Sequence, residues 1–99
     1  MNLTPTEQDR LQIFLTAELA RRVLQRGLKL NAPEATALIC DEMHLAARSG
    51  ATYEQVAEAG RNAVPDGCLM EGVADIIGEI RVEVLLDEGT RLFVIRRSA

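Results

Sequence analysis

Within the ten residues Arg26-Gly27-Leu28-Lys29-Leu30-Asn31-Ala32-Pro33-Glu34-Ala35 one helix must stop and another must start, and this restricts the fold more than any other stretch. Gly27 can take the left-handed conformation that closes a helix, and Arg26 before it complements the negative end of the helix dipole. Asn31 can cap the next helix, Pro33 suits its first turn, and Glu34 stands three residues after the cap, as in a capping box. Between the two helices Leu28 and Leu30 flank Lys29 in an extended connector, where they point opposite to it. They are expected to pin the helices together.

The same reasoning sets the other elements. Thr4-Pro5-Thr6-Glu7 is a capping box, so the first helix runs from Pro5 to Gln25. Leu11, Phe14, Leu15, Leu19 and Val23 recur at helical spacing as its expected inward stripe, leaving Gln8, Arg10, Glu18, Arg21, Arg22 and Gln25 on a solvated face. The second helix, from about Pro33 to Arg48, presents Ala35, Leu38, Ile39, Met43 and Ala46, and stops at Ser49-Gly50. Thr52 with Gln55 caps a third, short helix with Val56, Ala59 and Ala63 inward. Pro65-Asp66-Gly67 reads as a turn, and the apolar stretch from Cys68 to Ile77, broken by Gly72, as a short helical turn or irregular loop.

From Ile80 the period changes to two, which predicts a strand with Ile80, Val82, Val84 and Leu86 on one face. Asp87-Glu88-Gly89 fits a type I turn closed by a glycine bulge, with the return strand over residues 91 to 95. That register sets Val84 opposite Leu92, Val82 opposite Val94 and Glu83 opposite Phe93. Leu85, Phe93 and Ile95 then share the outward face with Arg81, Glu83 and Arg91, which is more apolar than a solvated face should be. The expected fold class is α+β, a three-helix bundle followed by a C-terminal antiparallel β-hairpin, as one domain over residues 1–99.

Composition narrows what such a domain does. Apolar residues are 47% of the 99 and aromatics only 3%, so the core is aliphatic, with Phe14 as its largest expected member. Eleven basic residues against fifteen acidic give a net charge of −4, and the basic ones are dispersed. This disfavours a nucleic-acid partner, which needs a basic patch. No run approaches the roughly 20 apolar residues of a membrane span, and the N-terminus lacks the features of a signal peptide. The expected location is cytoplasmic, with Cys40 and Cys68 as reduced thiols.

No catalytic, cofactor-binding or metal site is legible. His44 is the only histidine, so one copy of the chain cannot assemble a nickel or zinc site built on several imidazoles. Cys40 lies four residues before it but has no identifiable orienting group or oxyanion hole. Glu42, Glu54, Glu58, Asp75 and Glu79 form no spacing that gathers two carboxylates in a pocket. The Arg21-Arg22 and Arg96-Arg97 pairs read as anion or partner contacts, or as solvated ends. Met70 reads as packing or as an interface anchor.

The opening stretch resembles the RGLKLN-x-PEA signature of the γ subunit of bacterial urease. Leu3-Thr4-Pro5, Glu18-Leu19-Ala20-Arg21-Arg22, Ala47-Arg48, Gly60-Arg61, Met70-Glu71-Gly72-Val73, Val82-Glu83 and Gly89-Thr90-Arg91-Leu92 follow in the family's order without a gap. The chain departs from the family pattern at Pro65, Gly67, Cys68, Asp87-Glu88-Gly89 and the terminal Arg96-Arg97-Ser98-Ala99, as a divergent paralogue also would. The resemblance implies a structural subunit of urease, inactive by itself, that assembles with α and β subunits as an (αβγ)3 complex hydrolysing urea to ammonia and carbamate. It also implies that no cofactor sits in this chain, the two nickel ions being held in the α subunit. Leu28, Leu30, Met70, Leu85, Phe93 and Ile95 are the candidate interface residues. The alternatives from other classes are a stand-alone acidic regulatory or interaction module and a winged-helix DNA-binding domain. The acidic third helix speaks against the latter.

Overall fold

Three reciprocal capping boxes start the three long helices. The side chains of Thr4, Asn31 and Thr52 accept from the backbone N–H of Glu7, Glu34 and Gln55, whose own side chains accept from the N–H of the caps. They set the starts of α1 (Pro5–Gln25), α2 (Ala32–Arg48) and α3 (Tyr53–Asn62). Gly27, at φ +75°, takes the left-handed conformation that ends α1. The computed structural model describes residues 1–97; Ser98 and Ala99 of the atypical terminus lie outside them.

The apolar stretch without a clean period contains a five-residue helix, α4 (Val73–Ile77), and leads directly into β1 (Gly78–Leu86), which pairs antiparallel with β2 (Gly89–Arg97). Leu30 ties this second half of the chain to the first. Its N–H donates to the Cys68 carbonyl at 2.8 Å, and its carbonyl accepts from the Met70 N–H at 2.9 Å. Leu30 therefore pins the helix connector to the loop before α4, and its side chain is fully buried.

Helix α2 is the centre of the fold. It packs on α1 and α3, and β1 lies across it while β2 lies across α3. That position explains why α2 buries residues on several sides, from Ala35, Leu38, Ile39 and Met43 to Ala37, Cys40 and Ala47. Gly60 of α3 makes one close approach possible, since a Cβ there would stand 2.6 Å from the Met43 sulfur.

Two expectations are corrected. The stripe expected to face inward on α1 faces out: Phe14 is 40% and Leu15 65% exposed, with Leu11 and Leu19 exposed beside them. The buried seam is instead Ala17 and Ala20, flanked by the half-buried Ile13, Val23 and Leu24. Two alanines let α1 approach α2 closely, and on this side of the helix Arg10 and Arg21 reach the fully buried Asp41 of α2. The largest core side chain is thus Phe93, not Phe14.

The hairpin register also differs, by one residue. A two-residue turn, Asp87-Glu88, replaces the expected bulge: Leu86 pairs with Gly89, Val84 with Arg91, Glu83 with Leu92, Val82 with Phe93 and Ile80 with Ile95. A one-residue slip exchanges the faces of a strand, so Phe93 and Ile95 turn inward, 1% and 2% exposed. The observed register buries a Phe and an Ile where the other would bury a Leu and a Val, and more apolar area leaves water. It also stacks Phe93 on Tyr53 of α3, with ring centroids 4.2 Å apart.

Candidate assembly surface

The polar groups that meet inside the fold form a structural clasp. Asp41 receives Arg10 at 2.7 Å and Arg21 at 2.6 Å, and Arg21 continues to Glu42 at 2.9 Å and to Glu18. The Arg10 contact lies outside hydrogen-bond alignment, so Arg10 Nη1 and Asp41 Oδ1 form an ion contact but no hydrogen bond. Burial opposes the charge of Arg21, yet its hydrogen bonds to Asp41, Glu42 and Glu18 outweigh this and raise its pKa. The face of α1 read as solvated therefore supplies the charges that hold α1 to α2.

Around this clasp the only histidine and the buried thiol are poor reagents. Burial pushes the Cys40 thiol up to about 11, Asp41 adding to the rise and Arg10 opposing it, so near neutral pH it is protonated and a weak nucleophile or metal ligand. Half-burial lowers the pKa of His44, and the charge of Arg10 lowers it further against the pull of Asp41, so the imidazole is neutral near pH 7. No group of three or more His, Cys, Asp or Glu side chains able to hold a metal ion is found among the described residues.

What the surface offers is apolar. Leu11, Phe14, Leu15 and Leu19 form a continuous stripe along α1, and Leu3 stands exposed just before it. A second patch lies on the outward face of the hairpin, where Leu85, 69% exposed, stands with Leu92 and Val94. Such clusters mark interaction sites more often than idle surface.

The six candidate interface residues separate into two groups. Leu28, Met70 and Leu85 are exposed and available to a partner. Leu30, Phe93 and Ile95 are buried within the chain, Leu30 by its bridge to the α4 loop and the other two by the register. The α1 stripe and the Leu92–Val94 pair are the exposed residues that sequence reasoning placed inside. A signal for the stripe was present, because Arg10, Ile13, Ala17, Ala20 and Leu24 also recur at three- and four-residue intervals.

A family model described as "Urease, gamma subunit" matches residues 1–98. Among curated relatives, a protein of Streptomyces coelicolor named "Urease subunit gamma/beta" is 50% identical over 95 residues, which is 96% of this chain and 42% of the relative. A protein of the same name from Streptomyces avermitilis matches with the same identity and coverage. The chain thus spans about two-fifths of the length of the curated relatives it matches.

Proposed function

The chain belongs to the urease γ-subunit family, and from that premise we propose that it is a non-catalytic structural subunit of a urease. It assembles with α and β subunits in the cytoplasm, in an (αβγ)3 arrangement, and the α1 stripe is its principal contact. The observation that carries this reading is the inverted α1. The chain buries alanines against its own α2 and leaves Leu11, Phe14, Leu15 and Leu19 in water. Burying one such side chain on a partner stabilises the complex by roughly 1.5–3 kcal/mol. The two relatives whose name joins gamma and beta support a β partner.

Urease chemistry uses nickel, which the family resemblance places in the α subunit. The donors here do not fit it: among the described residues no three His, Cys, Asp or Glu side chains are gathered where they could share a metal ion. The role of this chain is therefore in assembly, and no step of urea hydrolysis runs through its side chains.

Leu15→Asp tests the reading, because Leu15 is exposed and a charge there leaves the isolated fold intact. In titrations against urease α and β chains the variant should bind at least ~30-fold more weakly, in line with roughly 2 kcal/mol or more from lost burial and a desolvated charge. Its melting temperature should match that of the parent chain. Undiminished binding would show that α1 is not the contact.

A further inference from the structure

The hairpin has two edges, and they are treated differently. On the β2 side the Tyr53 hydroxyl donates to the Leu92 carbonyl at 3.1 Å, so Leu92 turns its carbonyl out of the hairpin toward α3. Leu92 is paired in register with Glu83. In an antiparallel ladder both members of such a pair point their N–H and C=O away from each other, so Glu83 directs its backbone groups off the free edge of β1. By the two-residue repeat Arg81 and Leu85 do the same. Among the described residues no backbone group outside the hairpin bonds to residues 79–86. One carbonyl of the β2 edge is bonded by an aromatic side chain, and the β1 edge is open.

That open edge borders a groove. Its far wall is α1, its floor is α2, and α4 stands at one end; the groove is open to solvent and comprises clefts of ≈ 790 and ≈ 570 Å³ that share Asp9 and Ile13 in their lining. Ile13, Ile77 and Ile80 give it an apolar lining, while Asp9 and Glu83 stand on opposite walls. Neither carboxylate has an ion pair or side-chain hydrogen bond among the described residues, whereas Glu79 is held by Arg81 at 2.9 Å. From Glu79 to Glu83 the wall runs about 13 Å, the span of four residues of extended chain. Leu11 and Leu3 at the rim make the groove continuous with the α1 stripe.

We infer that this groove takes an extended segment of a partner urease subunit, added as a third strand to the free edge of β1, with apolar side chains on Ile13, Ile77 and Ile80 and a basic side chain between Asp9 and Glu83. The inference rests on the assembly role proposed above and specifies the mode of contact. Backbone hydrogen bonds along the edge supply affinity, and the alternation of apolar and basic side chains supplies selectivity. Unpaired carboxylates on both walls favour a basic segment and disfavour an acidic one.

Amide hydrogen exchange on the unaltered chain tests this directly. Alone, the N–H groups of Arg81, Glu83 and Leu85 should exchange rapidly; in the complex with urease α and β chains they should slow by at least 100-fold. A complex that forms while these amides stay unprotected overturns the strand addition but leaves the assembly role intact, and failure of the complex to form overturns both. Protection that already appears in the isolated chain and rises with its concentration assigns the edge to a second copy and also overturns the inference. Glu83→Pro adds a second reading, since it removes an outward N–H and no ladder bond. It should weaken the complex at least tenfold where Glu83→Ala weakens it less, and equal affinities for the proline variant and the parent would contradict the inference. If the proline variant fails to fold, the exchange measurement on the unaltered chain decides.

Discussion

Phe93→Ala should lower the melting temperature of the isolated chain by more than ~12 °C, from a loss of about 3–5 kcal/mol at 4–8 °C per kcal/mol for a domain of this size. Leu92→Ala should shift it by only a few degrees. Phe93 is the largest fully buried side chain, stacked on Tyr53 with an interplanar angle of 15°. That tyrosine also carries a cation, because the Arg91 guanidinium lies 4.7 Å from its ring centroid. Losing the phenyl ring therefore opens a cavity and also removes the platform of a small aromatic cluster that joins β2 to α3. The pair of variants reports the register. In the bulged register Leu92 would face the core and its truncation would be the damaging one, so thermal denaturation followed by circular dichroism separates the two arrangements.

Asp41→Ala should destabilise the chain by roughly 3 kcal/mol, the lower end of the range for breaking a buried ion pair. The lower end applies because Arg10 and Arg21, whose side chains are 32% and 25% exposed, keep some access to water once released. Asp41 itself has no such access, and it is the one carboxylate that joins both guanidinium groups. Glu42→Ala, at the solvent end of the same network, should cost less than ~1 kcal/mol. The two should also differ in salt. Screening by about 1 M salt removes the Glu42 effect and leaves most of the Asp41 effect, because buried pairs are screened little. Urea titrations of both variants at low and high ionic strength measure this. Equal losses, or an Asp41 effect that vanishes in salt, would mean that α1 is held by its alanine seam alone.

Helix boundaries were readable because they are set locally. Thr4, Asn31 and Thr52 each stand three residues before Glu or Gln, and the capping box that forms there depends on nothing distant. What α1 buries was not readable in the same way. Two stripes share its sequence at helical spacing, one leucine-rich and one carrying alanines and arginines, and hydrophobicity alone selects the wrong one. The decision rests on Asp41, twenty residues beyond Arg21, which buries its carboxylate only if both arginines turn toward it. The hairpin register failed for a related reason. Asp87-Glu88-Gly89 is compatible with a turn with or without a bulge, and the choice falls to Tyr53 on α3, whose stacking on Phe93 no strand periodicity can reveal. Of the six candidate interface residues Leu28, Met70 and Leu85 lie on the surface, and Leu28, 57% exposed, does not pin the helices together as expected. The groove beside β1 depends on how α1, α2 and α4 meet, and no motif encodes that meeting.

In the proposed role this chain serves urea hydrolysis by assembly and contributes no reacting group. Ammonia release from urea, measured on the chain alone, on urease α and β chains with it, and on the same mixture carrying His44→Ala, tests it most directly. The expected result is no release by the chain alone, release by the three-chain mixture, and the same rate when the chain's only histidine is replaced. Hydrolysis by the isolated chain, or loss of activity with His44→Ala in a mixture that still assembles, would contradict it.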